Sequence, residues 1–144
     1  MKECGKVFML DDDLVRLNMY ATFLRGHGLD VFATDNAYKM ILYAREMRPS
    51  VFVLEVNMPI MNGWDVLEYL KRDVKLRDVP VVMLAMADEV GKAISLGADN
   101  FLLKPVEPIK LLEAIRDYCL FQDYPEALII NKLQNNKGQE HFVK

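Results

Sequence analysis

The sequence predicts an α/β protein in which helices cover both faces of a parallel sheet. Short apolar segments alternate five times with segments that carry apolar residues at helical spacing. The short segments lack an alternation of polar and apolar residues, so both of their faces are expected to be buried. With 144 residues, 52% of them hydrophobic, the chain is long enough to bury one core. Right-handed crossovers between such strands give a doubly wound sheet, which binds ligands at the carboxyl ends of its strands.

The five strands are predicted from short apolar runs bounded by polar residues, glycine or proline. The predicted strands are Lys6–Leu10, Leu29–Ala33, Val51–Leu54, Pro80–Leu84 and Phe101–Leu103. Each run is too short for a typical helix, which leaves the intervening segments to supply the helices.

Apolar residues at helical spacing predict one helix after each strand. The first helix is expected to bury Val15, Met19 and Phe23, with Tyr20 and Leu24 beside them, and to end near Gly26. The next two faces are predicted at Ala37, Met40, Ile41, Ala44 and Met47, and at Trp64, Leu67 and Leu70. Val90–Leu96 predicts a short fourth helix, and a fifth, starting at Pro108, is predicted to bury Leu111, Leu112, Ile115 and Tyr118.

Residues 5–120 are predicted to form the domain, and residues 121–144 a C-terminal extension. Within the extension, Ala127–Leu133 fits one short helix, and Asn135–Gln139 fits a loose tail. A covering helix with a frayed tail is the simplest interpretation. A dimer contact or a linker is the second interpretation.

Composition narrows the functional classes. The formal charge of −3 and the absence of a lysine and arginine cluster argue against direct nucleic-acid binding. No apolar run reaches the ~18 residues of a membrane span, and the N-terminus lacks the features of a signal peptide. Cys4 and Cys119 lie far apart, without metal or redox spacing, which predicts two free thiols in a reducing cytoplasm.

Charged residues follow three of the predicted strands. Asp11, Asp12 and Asp13 follow the first strand, Glu55 follows the third and Lys104 follows the fifth. The carboxyl ends of parallel strands meet at one edge, so these groups are expected to share a cleft. Neighbouring carboxylates repel one another, and Mg²⁺ prefers oxygen ligands, so a Mg²⁺ site is a hypothesis for this cleft. For Asp13, a helix N-cap is the better interpretation.

Four motifs then point to a family. VFMLDDD, NMPIMNGWDVL, PVVML and GADNFLLKP, in this order, resemble the receiver domain of two-component response regulators. The resemblance covers Gly5 to Leu120 and implies a flavodoxin-like (βα)5 fold, with a doubly wound parallel five-stranded sheet of order 2-1-3-4-5.

The resemblance also implies roles for individual residues. In this family a strand-three aspartate accepts a phosphoryl group, an acidic pair and a backbone carbonyl hold Mg²⁺, and a hydroxyl, a lysine and an aromatic residue respond to the phosphoryl group. By motif position, Glu55 stands at the acceptor position. The metal would be held by Asp11, Asp12 and the carbonyl of Asn57. The groups that respond to the phosphoryl group would be Ala85, Lys104 and Phe101.

Two of these positions depart from the family pattern. Glu55 stands where an aspartate is expected, and Ala85 stands where a threonine or serine is expected. A misplacement of ~1 Å can cost on the order of 100-fold in rate, and one lost donor costs roughly 100- to 1,000-fold. Only twelve positions separate Ala85 from Gly97, which also predicts a trimmed fourth helix or preceding loop.

These departures favour a protein-interaction module over an enzyme, without a normal aspartate phosphorylation cycle. The expected partner is a histidine kinase, a phosphotransfer protein or a downstream effector, and a homodimer stays open. A second hypothesis is a Mg²⁺-dependent receiver that is still phosphorylated on a carboxylate of the cleft. A third hypothesis comes from FMLDDDLV, which fits the signature of haloacid-dehalogenase-type phosphatases, with Asp11 as nucleophile and Asp13 as general acid/base.

Overall fold

The structure is a computed structural model of the chain and describes residues 4–120. It contains one five-stranded parallel sheet of order β2-β1-β3-β4-β5, which confirms the predicted fold. The strands are β1 (Lys6–Leu10), β2 (Asp30–Thr34), β3 (Val51–Glu55), β4 (Val81–Ala85) and β5 (Asn100–Leu103). The predicted extension, residues 121–144, lies outside the described residues.

The helices follow the strands as predicted. They are α1 (Leu14–Gly26), α2 (Ala37–Met47), α3 (Gly63–Arg72), α4 (Val90–Ser95) and α5 (Pro108–Leu120). A 3-10 turn, Ala87–Glu89, precedes α4, which has only six residues, so the predicted short fourth helix is confirmed. That this segment is trimmed relative to the family stays a prediction. None of the described helices is long and apolar enough to cross a membrane.

The core consists of two apolar layers, one on each face of the sheet. On one face α1 and α5 pack against the sheet, and the predicted α5 residues Leu111, Leu112, Ile115 and Tyr118 are all buried. On the other face α2, α3 and α4 pack against it. The central strands β3 and β4 are buried along their whole length, as expected for strands covered on both faces.

The buried face of α1 differs from the prediction. Leu17, Tyr20, Ala21 and Leu24 are buried, whereas Val15 is 82% exposed and Met19 is 49% exposed. Both sets of residues have helical spacing, and the contact with α5 selects the first set. The prediction that α1 buries Val15 and Met19 is therefore wrong. Met47, predicted for the buried face of α2, is also exposed.

The prediction of two free thiols is contradicted as well. Cys4, just before β1, and Cys119, in the last turn of α5, form a disulfide with a Cα–Cα distance of 4.8 Å. The fold brings them together because α5 runs back across the sheet to the edge where β1 begins. A separation of 115 residues hides this proximity from any local sequence pattern.

Candidate functional site

The sheet register places the predicted site residues at one edge. Leu10 is paired with Leu54, Glu55 with Leu84, and Ala85 with Leu103. Asp11 follows β1, Glu55 ends β3, and Lys104 follows β5. The carboxyl edge of the sheet therefore gathers the carboxylates and the lysine, as the strand pattern predicts.

Glu55 is a buried carboxylate held by cations of its own chain. Glu55 is 1% exposed. Oε1 accepts hydrogen bonds from Lys104 Nζ and, at 3.3 Å, from the backbone N–H of Asn57. Oε2 has no hydrogen-bond partner and lies 3.6 Å from Arg16 Nη2. The carboxylate thus lies between an ammonium and a guanidinium.

Arg16 is the site residue that the sequence analysis missed. Its Nε donates to Asp11 Oδ2 at 2.7 Å and its Nη2 donates to Asp11 Oδ1 at 2.8 Å, a bidentate ion pair. Asp11 is 3% exposed, and its Oδ1 also accepts from the backbone N–H of Asp13 at 2.9 Å. An arginine within one turn of an acidic run is a detectable signal, but sequence does not tell which way it points.

The surroundings of Arg16 keep it charged. The hydrogen bond to Asp11 raises the pKa of the guanidinium above its already high value, against an opposing effect of burial. The negative charges of Asp11, Glu55 and Asp13 act in the same direction as the hydrogen bond. Arg16 is therefore a fixed positive charge of the cleft at every physiological pH.

The other two aspartates of the acidic run have different environments. Asp13 is the N-cap of α1, since its Oδ1 accepts from the backbone N–H groups of Val15 and Arg16 at 3.1 Å, which confirms the prediction for this residue. Asp12 is exposed and lines a surface cavity together with Asn57 and Trp64. Of the two predicted metal-binding aspartates, only Asp12 faces solvent.

The loop after β3 is fixed against the site by Gly63. The N–H of Gly63, the first residue of α3, donates to the carbonyl of Val56 at 2.8 Å. A Cβ at Gly63 would collide with the carbonyl oxygen of Glu55 and lie 2.8 Å from Val56 Cα. The glycine of the NMPIMNG motif therefore permits a close backbone approach behind the acceptor position.

The remaining predicted residues lie at the ends of β4 and in β5. Ala85 is fully buried, ends β4 and offers no hydroxyl; its carbonyl accepts from the backbone N–H of Lys104 at 3.0 Å. Phe101 is partly buried against the α2–α4 layer of the core. Lys104 and Phe101 thus lie after β5 and within it, as their motif positions predict, and Ala85 fills the position where a hydroxyl was expected. The roles of all three residues stay predictions.

A divalent cation does not fit the residues in this arrangement. The donor set is right in kind, because carboxylates and a carbonyl suit Mg²⁺. However, Asp11 uses both oxygens on Arg16, and Glu55 is paired with Lys104. No group of three metal-binding side chains is found among residues 4–120.

A five-stranded doubly wound sheet with carboxylates and a lysine at its carboxyl edge defines an α/β domain of the flavodoxin-like class. The chain matches the response regulator receiver domain family over residues 7–116. It therefore belongs to that family, and it is a receiver domain of two-component signalling.

Relatives and solved structures support the assignment. The DNA-binding response regulator MtrA of Mycolicibacterium paratuberculosis is 34% identical over 114 residues, which cover 77% of this chain and 49% of that regulator. The chain thus spans about half the length of this relative. The structure of the chemotaxis protein CheY4 of Vibrio cholerae has a TM-score of 0.72 at 24% identity, covering 79% of this chain and 98% of that one.

A second solved structure also shares this fold. The receiver domain of the sensor histidine kinase PA1611 of Pseudomonas aeruginosa, described with a magnesium ion coordinated in its active site cleft, has a TM-score of 0.71. It is 16% identical, covers 81% of this chain and 98% of its own, and shares the fold.

Proposed function

We propose that this receiver domain is atypical and acts as a protein-interaction module in two-component signalling, without a normal aspartate phosphorylation cycle. The observation that carries the proposal is the environment of Glu55, whose buried carboxylate is already paired with Lys104 and lies beside Arg16. The partner would be a histidine kinase, a phosphotransfer protein or a downstream effector. The domain is proposed as a signalling module rather than an enzyme.

Three physical arguments oppose efficient phosphorylation. The extra methylene of glutamate moves the attacking oxygen by about 1 Å, a displacement that can cost on the order of 100-fold in rate. Ala85 supplies no hydrogen-bond donor to a transferring phosphoryl group, a loss worth roughly 100- to 1,000-fold for a comparable donor. Finally, Lys104 is engaged by Glu55 itself, so it would have to leave that carboxylate to contact a phosphoryl group.

Glu55 also resembles a partial and permanent substitute for a phosphorylated residue. Its longer side chain carries negative charge to Lys104, where a phosphoryl group would sit. The substitute is incomplete, because one charge replaces the roughly two charges and three acceptor oxygens of a phosphate. Ala85 cannot report a change of state to Phe101 through a hydrogen bond, which supports a module with one constitutive conformation.

An exposed apolar surface beside the cleft supports a binding role. Leu14, Val15 and Met19 on α1 are 54%, 82% and 49% exposed. Val15 and Met19 are four residues apart and so lie on one face of α1, and adjacent exposed apolar side chains are typical of contact surfaces. The same surface is compatible with a homodimer, which sedimentation of the purified chain over a concentration series would distinguish from a monomer.

Incubation with a small phosphodonor and Mg²⁺, followed by intact mass, tests the proposal. We expect no stoichiometric gain of about 80 Da, under conditions that label a conventional aspartate receiver run in parallel. A stoichiometric gain would contradict the proposal. Glu55→Gln and Asp12→Asn would then show whether Glu55 or the exposed carboxylate of the cleft is the acceptor, since the relevant variant would lose the gain.

A phosphatase activity has less support than the interaction module. It needs Asp11 as a free nucleophile, whereas both oxygens of this carboxylate are bonded to Arg16. Turnover of a generic phosphomonoester that Asp11→Asn abolishes would favour the phosphatase.

The expectations about nucleic-acid binding and about the location of the domain stay predictions. That it binds no nucleic acid rests on the net charge of −3 and on the lack of a basic cluster in the sequence. MtrA is named as a DNA-binding regulator, and this chain matches half of its length. A location in the cytoplasm is likewise proposed, with the Cys4–Cys119 disulfide as the observation against it, because disulfides are rare in reducing compartments.

A further inference from the structure

We propose that Arg16 is the resident cation of the acidic cleft, that it excludes Mg²⁺ from this receiver, and that its removal creates a divalent-cation site on Asp11, Asp12 and the carbonyl of Asn57. The proposal concerns the cation alone. It goes beyond the proposed function and does not depend on it.

The first argument is occupancy of the ligand atoms. Mg²⁺ requires oxygens at about 2.0–2.1 Å in near-octahedral geometry. The two oxygens of Asp11 instead accept N–H donors of Arg16 at 2.7 and 2.8 Å. Oδ1 accepts two donors, Arg16 and the N–H of Asp13, whereas Oδ2 accepts only Arg16 and keeps one lone pair. A Mg²⁺ ion on that lone pair would lie against the guanidinium, and two cations in contact repel one another. Tight binding of Mg²⁺ to Asp11 therefore requires that Arg16 leave it.

The second argument is access. The Asp11 side chain is 4% exposed, whereas the Arg16 side chain is 35% exposed. We infer that the guanidinium lies on the solvent side of the carboxylate, where an incoming ion would approach. Its backbone is fixed there by the N-cap, because Asp13 accepts the N–H of Arg16 at 3.1 Å. The planar guanidinium can then donate two parallel hydrogen bonds to the carboxylate, which the ammonium group of a lysine cannot do.

The third argument is the balance of charge. The buried carboxylates of Asp11 and Glu55 carry two negative charges, and Arg16 and Lys104 carry two positive charges, so this group is neutral. Adding Mg²⁺ would give it a charge of +2, offset by the exposed carboxylates of Asp12 and Asp13. Without Arg16, the four carboxylates of Asp11, Asp12, Asp13 and Glu55 would face the single ammonium of Lys104, and this excess of negative charge favours a divalent cation.

The orphaned atom of Glu55 supports the same conclusion. Oε2 is buried and has no hydrogen-bond partner, yet it faces Arg16 Nη2 at 3.6 Å. A buried anionic oxygen needs a compensating charge nearby. In this site the guanidinium supplies that charge and serves both carboxylates at once.

The test compares the wild-type chain with Arg16→Met during titration with MgCl₂. Binding is followed by calorimetry and by fluorescence of Trp64, the single tryptophan, which lines the same cavity as Asp12 and Asn57. We expect no saturable response of the wild type up to about 20 mM Mg²⁺, and a saturable response of Arg16→Met with an affinity at least about tenfold higher. Arg72→Met, which removes an exposed arginine at the far end of α3, should behave like the wild type.

Two measurements keep the test decisive if Arg16→Met does not fold. Arg16→Lys keeps the charge without the bidentate geometry and should bind Mg²⁺ more tightly than the wild type. In the wild type, the side-chain Nε–H resonance of Arg16 should not shift when Mg²⁺ is added. Equal affinities of the wild type and the Arg16 variants, no binding by any of them, or displacement of that resonance would overturn the proposal.

Discussion

At the scale of single residues, two ion pairs hold the carboxylates of this site. Glu55 is paired with Lys104, and Asp11 is paired with the guanidinium of Arg16. Buried ion pairs seldom add net stability, because desolvation offsets the attraction between the charges. The pairs are therefore better understood as fixing the positions of two carboxylates than as stabilising the fold.

A prediction at this scale concerns the backbone behind Glu55. Gly63→Ala should lower the free energy of unfolding by about 1–3 kcal/mol, because its Cβ would collide with the backbone of Glu55 and Val56. Urea unfolding followed by circular dichroism measures the change. Gly91→Ala in α4 is the matched control, since its Cβ would meet no atom within 4 Å. This variant should raise the free energy of unfolding by up to about 1 kcal/mol, because alanine favours the helix more than glycine does. Equal stability of Gly63→Ala and wild type would contradict the close approach.

The sequence predicted part of the site for a clear reason. Asp11, Glu55 and Lys104 were predicted to converge because strand ends in a parallel sheet share one edge. Arg16 was not predicted, because its role depends on the direction of a long side chain in the first turn of a helix. The metal-binding and phosphoryl-contact roles of Asp12, Asn57, Ala85 and Phe101 stay predictions.

At the scale of elements, the strands were easier to predict than the helix faces. A continuous apolar run leaves little choice of boundaries, so all five strands agree with the prediction to within one residue at each end. On α1, two sets of apolar residues have helical spacing, and only the tertiary contact decides between them. Tyr20 belongs to the buried set because its hydroxyl reaches the carbonyl of Val106 at 2.6 Å.

The packing of α1 and α5 predicts a loss of stability at alkaline pH. Burial raises the pKa of Tyr20 and of Tyr118 above the usual value near 10. The folded state thus keeps protons that the unfolded state loses, so this contribution is complete below pH ~10 and declines as the pH rises through the folded pKa values. The urea concentration at the midpoint of unfolding should fall as the pH is raised from 8 to 11. For Tyr20→Phe this midpoint should fall less steeply with pH than for the wild type.

Tyr38→Phe is the control for this series. Tyr38 is 67% exposed on α2, so its hydroxyl is hydrated in both states, and the variant should follow the wild-type pH dependence. A flat profile for the wild type, or the same slope for Tyr20→Phe and wild type, would show that the α1–α5 tyrosines do not control alkaline stability.

At the scale of the whole molecule, the fold brings together chain segments that local patterns cannot connect. Strand order followed from the family resemblance, and the structure confirms it. The contact between Cys4 and Cys119 depends on the completed sheet and on the length of α5. Sequence spacing therefore suggested two independent thiols, while the assembled fold places them side by side.

This contact carries the last prediction. Closing a loop with a sequence separation of 115 residues restricts the unfolded chain, and native disulfides commonly contribute about 2–4 kcal/mol. The Cα separation of 4.8 Å lies within the usual range for a disulfide. We expect the oxidised chain to unfold at higher urea concentration than the chain treated with dithiothreitol. Cys4→Ser should unfold at the same urea concentration as the reduced wild type, and dithiothreitol should not change that concentration. Two free thiols in the air-oxidised protein, counted by alkylation and intact mass, would contradict the pairing.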